Sequence, residues 1–268
     1  MTTISRRSAL GGVAAIAAAL SAALFAPAPV RSAAADDAGR PLLRVGSQLG
    51  YEPFEFLDSE TGEPKGFDID LIEEIARRIG RRVEIVPCEL SELIAAIERG
   101  EIDCVISAFT ITSDRLKRVA FSKPYMNAGL SVMTRPETAP RIRTIQDLKN
   151  RPLCVEEGSS SEALVKRIPG ARLLTFRTVA EAFAAVDRGE CYAAVNDLPS
   201  NRHFLRTPAA KVLSLEALDF VLSDDFYGIA VGRGDSQLLV AIDRALDDMR
   251  ADGSFSELHI KWFGEPAR

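Results

Sequence analysis

The sequence contains few of the residues that build metal centres. It has only two histidines, His203 and His259, and its four cysteines are spaced by 16, 50 and 37 residues, which matches no metal-binding motif. It also lacks an excess of basic residues, because its formal net charge is −5. No basic stripe with interleaved aromatic residues is present, which argues against nucleic-acid binding. We therefore expect no metal, no cofactor and no nucleic-acid partner.

A long hydrophobic run occurs only near the N-terminus. Residues 1–35 have a cationic start at Arg6 and Arg7, an apolar stretch over 9–26 and three alanines at 33–35. This pattern predicts a signal peptide that is removed to leave a mature, periplasmic protein beginning near residue 36. The adjacent arginines are compatible with both the twin-arginine route and general secretion. Without a second apolar run of about 18 residues, the mature chain is expected to be soluble.

Disulfide bonds are chemically permitted in an exported chain. Cys104, Cys154 and Cys191 each lie in or beside an apolar segment, where free cysteine commonly serves as a small hydrophobic residue. The sequence therefore favours buried thiols over two disulfide bridges that would also include Cys88.

An internal repeat gives the main evidence on architecture. Residues 92–101 are ELIAAIERGE and residues 181–190 are EAFAAVDRGE, with six identities in ten positions and an offset of 89 residues. Both segments have apolar residues at helical spacing, end at a glycine suited to a helix C-cap and lead into a predicted strand. The chain thus contains two copies of one helix–turn–strand unit, in keeping with a length that exceeds the usual single-core size.

Strands and helices alternate on both sides of this repeat. The first half predicts strands at 42–46, 83–86 and 102–107 and a helix at 67–79, and the second half repeats that order over 153–195. Such alternation predicts an α/β fold with a mainly parallel sheet in each of two lobes.

Ligands of open α/β sheets bind at the carboxyl ends of the strands. In this chain those ends fall at residues 47–51, 107–115, 156–161 and 196–197, and polar residues gather at all four. The segment that ends at Arg115 adds a guanidinium that can hold a carboxylate through two parallel hydrogen bonds. We expect two facing lobes to close these strand ends over one cleft.

The order and spacing of these motifs resemble the periplasmic polar-amino-acid-binding proteins, the solute-binding subunits of ABC importers (bacterial extracellular solute-binding family 3). The resemblance covers about residues 41–264 and is carried by LRVGSQLGYEPFEF (43–56), GFDIDL (66–71), ISAFTITSDR (106–115), FSKPY (121–125), EEGSSSEAL (156–164), AAVND (193–197), YGIAVGRGD (227–235) and DGSFSELHIKWFG (252–264).

The resemblance implies a type II periplasmic-binding-protein fold, with two α/β lobes joined by two hinge crossings. Crossings near 131–134 and 219–227 would divide the chain into lobe one, 36–132 with 224–268, and lobe two, 133–223. Closure about the hinge would bury a zwitterionic ligand and create the surface that the importer's permease subunits recognise. A monomer is expected.

Ligand-binding roles are also implied by the resemblance. Arg115 and Thr110 match the family's donors to the ligand α-carboxylate, with backbone groups from Ala108 and a further contact from Ser160. Asp197 matches the acidic partner of the α-ammonium group, although helix N-capping is an alternative role for it.

The resemblance leaves the ligand side chain open. Tyr51 matches an aromatic wall, and Leu90 stands where many relatives have an aromatic lid residue. Gln48 occupies a position where binders of basic amino acids commonly have an aspartate, whereas Glu156 offers a carboxylate that could pair with a cation. A polar or weakly cationic side chain is therefore preferred over an acidic or large apolar one.

An exported cyclohexadienyl dehydratase is the main alternative, because such enzymes resemble this family closely. The enzyme needs a general acid, for which Glu156 or Glu157 is a candidate. Asp197 argues against it, since prephenate lacks the amine that this carboxylate would bind. We therefore expect a binding protein and not an enzyme.

The tripeptide 233–235, Arg-Gly-Asp, raises extracellular adhesion as a third class. A structural role is preferred, in which Asp235 or Ser236 caps a helix over 237–250.

Overall fold

A computed structural model describes residues 39–266 of the chain. The predicted signal peptide, residues 1–35, lies outside the described residues. Within 39–266, no helix is both long enough and apolar enough to cross a membrane.

The described chain contains strands and helices in alternation. The strands are β1 Leu42–Ser47, β2 Gly50–Tyr51, β3 Glu55–Leu57, β4 Pro64–Lys65, β5 Arg82–Pro87, β6 Cys104–Val105, β7 Val119–Phe121, β8 Met126–Asn127, β9 Leu130–Thr134, β10 Pro152–Glu156, β11 Arg172–Phe176, β12 Ala193–Asp197, β13 Glu216–Ala217, β14 Phe226–Tyr227 and β15 Ala230–Gly232. The helices are α1 Phe67–Arg78, α2 Leu93–Glu98, α3 Ser160–Val165, α4 Val179–Asp187, α5 Leu198–Phe204, α6 Ser236–Asp252 and α7 Ser254–Phe263.

Two five-stranded sheets organise the fold. The first has the order β5-β1-β6-β15-β7 and the second the order β11-β10-β12-β9-β13. The predicted two-lobed α/β fold is confirmed. Each sheet is mixed, with three parallel strands followed by two strands that pair antiparallel.

The predicted repeat units fold as expected. Helix α1 buries an apolar face that includes Leu71, Ile72 and Ile75, and it ends before Gly80, whose φ of 72° suits glycine. Helix α4 begins at Thr178, whose hydroxyl accepts a hydrogen bond from the Glu181 N–H. Strand β6 is shorter than the predicted 102–107, because the chain turns out of the sheet at Ala108, where φ is 43°.

A separate two-stranded ribbon is formed where the chain passes from one sheet to the other: β8 lies between β7 and β9 in the sequence, and β14 lies between β13 and β15. Its strands, β8 and β14, pair with each other and with neither large sheet. The predicted first crossing, 131–134, instead lies within β9, which is already part of the second sheet. The lobe boundaries and the position of the hinge remain predictions.

The cysteines differ from expectation. Cys154 in β10 and Cys191 before β12 form a disulfide bond across a Cα–Cα distance of 5.9 Å, whereas Cys88 and Cys104 are free thiols. The preference for buried thiols was wrong for Cys154 and Cys191, because β10 and β12 are neighbours in the sheet and bring two distant residues together. It is confirmed for Cys104, which is fully buried.

The Arg-Gly-Asp segment has the structural role that the sequence favoured. The Asp235 carboxylate accepts a hydrogen bond from the Leu238 N–H at the start of α6, and Arg233 donates to the Lys117 carbonyl. Both charged side chains therefore stabilise the local fold.

Candidate functional site

The carboxyl ends of β1, β6, β10 and β12 meet at one cavity between the two sheets. All nine residues predicted from the sequence line it, together with Ser107, Ser159 and Asn196; the nine are Gln48, Tyr51, Leu90, Ala108, Thr110, Arg115, Glu156, Ser160 and Asp197. Since both sheets contribute strand ends, the cavity has the cleft position expected for a ligand site.

Arg115 is the cation of the cavity. Its side chain donates to the Thr110 carbonyl at 2.8 Å and, across the cleft, to the Gly158 carbonyl at 2.9 Å. The guanidinium carbon lies 3.7 Å from the centre of the Phe109 ring. Burial lowers the pKa of Arg115 to about 10, so the group stays charged at neutral pH. A guanidinium has five N–H donors, so these bonds leave further donors for an anionic group.

Hydroxyl groups from both lobes lie near this cation. The Thr110 hydroxyl donates to the Ser160 hydroxyl at 3.3 Å. Ser159 has another task, because its hydroxyl accepts the Glu162 N–H as the N-cap of α3 and donates to the Glu156 carbonyl. Ser161 is buried. Of the three serines, Ser160 is thus the one whose hydroxyl meets the opposite lobe.

Asp197 places a carboxylate in the cavity from lobe two. One of its oxygens accepts a hydrogen bond from the Tyr51 hydroxyl at 2.5 Å, whereas its Oδ1 atom is buried and has no hydrogen-bond partner. Asp197 occupies the N-cap position of α5, but its side chain makes no capping bond. Burial raises the pKa of Asp197 to about 6, against the lowering effect of the Tyr51 hydrogen bond and of the nearby Tyr227 hydroxyl. The free oxygen is suited to a cationic donor.

Gln48 and Glu156 face each other across the cleft. The Gln48 amide donates to the Glu156 carboxylate at 2.6 Å. Burial raises the pKa of Glu156 to about 7, and the negative charges of Asp197, Glu89 and Glu181 raise it further. Among the described residues, no cation forms an ion pair with Glu156. This carboxyl group therefore keeps its proton more readily than an exposed one.

Tyr51 and Leu90 both line the cavity, where an apolar wall is predicted. Tyr51 stacks on Phe54 with ring centres 5.9 Å apart, and Phe54 is fully buried in the core. Leu90 is half-buried at the cavity edge.

Ala108, however, does not offer a free N–H, because that group donates to the Asp68 carboxylate at 2.6 Å. We correct the prediction on this point: the Ala108 N–H serves the loop itself.

Further contacts hold the two lobes together at the rim. Ser200 donates to the Glu52 carbonyl, and His203 lies 3.2 Å from the Glu52 carboxylate. On another side, Arg177 pairs with Glu89. These contacts, with those of Tyr51 and Gln48, give the protein a closed cleft.

Sequence reasoning missed the polar groups beneath the cavity floor. Glu55 and Asp68 are fully buried there, and Ser107 and Tyr125 donate to them. The available signal was an acidic residue between apolar neighbours in both PFEF and GFDID. Within residues 39–266, no cluster of histidine, cysteine or acidic side chains is arranged to hold a metal ion.

Comparison with known proteins agrees with this geometry. The model of the bacterial extracellular solute-binding proteins, family 3, matches residues 43–265. The ABC transporter glutamine-binding protein GlnH of Bacillus subtilis is 30% identical over 217 residues, which cover 79% of this chain and 77% of that protein.

Two solved structures of ancestral proteins are also similar. An ancestral arginine-binding protein bound to arginine has a TM-score of 0.77 at 36% identity, covering 84% of this chain and 99% of that one. The ancestral amino acid-binding protein AncCDT-1, a precursor of cyclohexadienyl dehydratase, has a TM-score of 0.74 at 37% identity, covering 83% and 95%.

Proposed function

Because the chain belongs to the bacterial extracellular solute-binding proteins of family 3, we propose that it binds a free amino acid in the interlobe cleft and delivers it to an ABC importer. The observation that carries this proposal is the pair of opposite charges in one cavity, Arg115 from lobe one and Asp197 from lobe two. A carboxylate on Arg115 and an ammonium group on the free oxygen of Asp197 together describe a zwitterion.

The remaining residues complete the proposed contacts. Thr110 and Ser160 add hydroxyl donors to the carboxylate, Tyr51 orients Asp197 and walls the aliphatic part of the ligand, and Leu90 closes the edge. The proposed lobes are 36–132 with 224–268 and 133–223, with β8 and β14 as the hinge. Binding would stabilise the closed state without any covalent step.

The charge of the cavity favours a basic side chain on the ligand. Its lining contains the cation Arg115 and two acids, Asp197 and Glu156. A neutral zwitterion balances the first two and leaves Glu156 buried without a counter-charge, which is costly unless the group is protonated. A third, cationic group on the ligand would pair with Glu156, so we propose arginine or an ornithine-like compound as the preferred ligand. The arginine-bound relative is in keeping with this choice.

A thermal-shift screen tests the proposal directly. A ligand at 100 times its Kd stabilises a protein by about 2.7 kcal/mol. We expect a raised melting temperature with L-arginine or L-ornithine, a smaller rise with L-glutamine and none with L-glutamate. If no amino acid or zwitterionic relative changes the melting temperature, the proposed function is wrong.

Export and delivery form the second half of the proposal. Residues 1–35 would be removed during passage to the periplasm, and the closed protein would then dock on the importer's permease subunits. N-terminal sequencing of the exported protein tests the first step, with cleavage expected before residue 36. Import of labelled arginine in cells with and without the gene tests the second.

A dehydratase on the same scaffold is the alternative that Glu156 and the similarity to AncCDT-1 keep open. A buried carboxyl group with a raised pKa is suited to act as a general acid. Asp197 speaks against prephenate, which has no amine. Incubation with prephenate or arogenate, followed by assay for the aromatic product, decides between the two, and we expect no product.

A further inference from the structure

Two buried carboxyl groups lie directly below the cavity. Glu55 begins β3 and Asp68 belongs to the first turn of α1, and both are 0% exposed. The two carboxyl groups lie side by side, because the Asp68 N–H donates to the carbonyl of Phe54 and the consecutive residues Ser107 and Ala108 donate to Glu55 and Asp68. None of the ion pairs formed within residues 39–266 includes either group. Two adjacent charges in such a place would be costly without a cation.

The hydrogen bonds around this acid pair account for only half of its oxygens. Glu55 Oε1 accepts from the Ser107 hydroxyl at 2.8 Å. Asp68 Oδ2 accepts from the Ala108 N–H at 2.6 Å and from the Tyr125 hydroxyl at 2.9 Å. Glu55 Oε2 and Asp68 Oδ1 are buried and receive no donor from any other residue. A single proton held between these two oxygens satisfies both, whereas two ionised carboxylates satisfy neither.

The electrostatic surroundings favour retention of that proton at neutral pH. Burial raises the pKa of Glu55 well above its usual range, and the charges of Asp68 and Glu156 act in the same direction. Burial also raises the pKa of Asp68 to about 7, opposed by the bonds from Ala108, Tyr125 and Glu55. The titratable groups that face the pair are Tyr125, from the segment before β8, and Glu156, from β10 across the cleft. The loop at Ser107 and Ala108 adds only hydrogen-bond donors. Such a pair titrates as a unit.

The acid pair is joined to the ligand-binding loop by short bonds. Asp68 holds the N–H of Ala108, a non-glycine residue at φ 43°, and that conformation needs local hydrogen bonding to be maintained. Ser107 bridges the pair to the Gln48 N–H, which donates to its hydroxyl at 3.1 Å. We propose that Glu55 and Asp68 share one proton, and that this shared proton holds the 107–110 loop and Gln48 in the conformation that receives the ligand.

Both acids are positioning residues in this proposal, since neither lines the cavity. The consequence for ligand binding rests on the proposed function, but the loop itself can be examined without any ligand. When the shared proton leaves at alkaline pH, the two adjacent carboxylates repel each other and separate, and the loop whose Ser107 and Ala108 donate to one carboxylate each departs from its binding conformation.

The first experiment measures the hydrogen-exchange protection factor of the Ala108 amide in the ligand-free protein from pH 7 upward. We expect a fall of about tenfold or more in the wild type, as for loss of one buried hydrogen bond. In Glu55→Gln the side-chain amide at position 55 donates to Asp68 in place of the shared proton. Because this amide does not titrate, the fall in Ala108 protection should be absent. Tyr125→Phe removes a bond that lowers the pKa of Asp68 and should move the fall to higher pH. Glu63→Gln, an exposed matched change, should behave as wild type.

The second experiment measures the Kd for L-arginine over the same pH range in the same proteins. In wild type the Kd at alkaline pH should be about ten times the Kd at neutral pH. In Glu55→Gln the two Kd values should be equal. A fall in protection or affinity that persists unchanged in Glu55→Gln would overturn the shared proton. If arginine and all other amino acids fail to bind while the Ala108 protection behaves as expected, the proposed function is wrong and the acid pair stands.

Discussion

The two lobes can be compared position by position, because their sheets have the same strand order. The internal repeat relates Cys104 of β6 to Ala193 of β12, and their partners in the neighbouring strands are Val45 and Leu153. Gly46 is therefore equivalent to Cys154, and Ile102 is equivalent to Cys191. In lobe two these positions form a disulfide bond. In lobe one the Ile102 side chain lies so close to Gly46 that a Cβ atom there would overlap it.

The same comparison explains the cleft. Gln48 is equivalent to Glu156, and these two residues hydrogen bond to each other across the cleft. Ala108 is equivalent to Asp197, so one strand end contributes a loop below the ligand site and the other a carboxylate. Lobe one supplies the cation, Arg115, and lobe two supplies both acids. The two lobes thus contribute equivalent strand ends to the site, but lobe one contributes the positive charge and lobe two the acidic groups.

Removal of the lobe-one cation is expected to have the largest effect. In Arg115→Ala the ligand carboxylate loses its charge partner inside a closed cleft, at a cost of roughly 3–5 kcal/mol, or about two to four decades of affinity. Isothermal titration with L-arginine measures the loss. Arg118→Ala is the matched control, because Arg118 pairs on the surface with Glu98, and its Kd should equal that of wild type. Wild-type affinity in Arg115→Ala would remove this residue from the site.

Loss of the lobe-two disulfide should come next, and it should affect stability and not the cavity itself. A bond that closes a loop of 37 residues limits the unfolded chain by about 4 kcal/mol in the chain-entropy model. Urea unfolding of the Cys154→Ser/Cys191→Ser double variant should show this loss, whereas Cys88→Ser should unfold like wild type. Equal stability of the double variant and wild type would mean that the disulfide bond does not stabilise lobe two.

Asp197→Asn tests whether lobe two supplies the opposite charge. A hydrogen bond to a charged group contributes about 1.5–3 kcal/mol, so the Kd for L-arginine should rise roughly 10- to 150-fold. The analogue of arginine that lacks the α-amino group has nothing to offer the Asp197 carboxylate, and its weaker binding should be the same in both proteins. A variant that weakens both compounds equally would indicate a structural role for Asp197 through Tyr51.

The features that the sequence predicted are local ones. The ten-residue repeat indicates two similar lobes, and eight of the nine predicted cavity residues lie at the polar ends of predicted strands, whereas Leu90 was indicated only by the family resemblance. The features that it could not predict depend on pairing between distant segments. Strand β15 inserts between β6 and β7 from far along the chain, and Cys191 meets Cys154 only through the register of β10 and β12. The Glu55–Asp68 contact likewise arises only when β3 and α1 pack together.

The smallest expected effect concerns the Gln48–Glu156 pair and is a pH dependence. A cationic side chain binds the ionised form of Glu156, whose pKa is raised to about 7 by burial. Below that pH the group must lose a proton for the ligand to bind. The Kd for L-arginine should therefore rise by up to tenfold per pH unit as the pH falls below about 7, an acid dependence separate from the alkaline rise expected from the Glu55–Asp68 pair.

The sign for the ligand-free protein is opposite. A carboxyl group with a raised pKa in the folded state binds more protons than in the unfolded state, so its contribution to stability falls as pH rises towards about 7. Both dependences should disappear in Glu156→Gln, which keeps an oxygen to accept the Gln48 amide. Glu157→Gln, one residue further along and exposed, should retain them. If the Kd for L-arginine still rises on acidification in Glu156→Gln, the cationic side chain of the ligand does not contact Glu156. Asp197 would then be the acid of lobe two that pairs with the ligand.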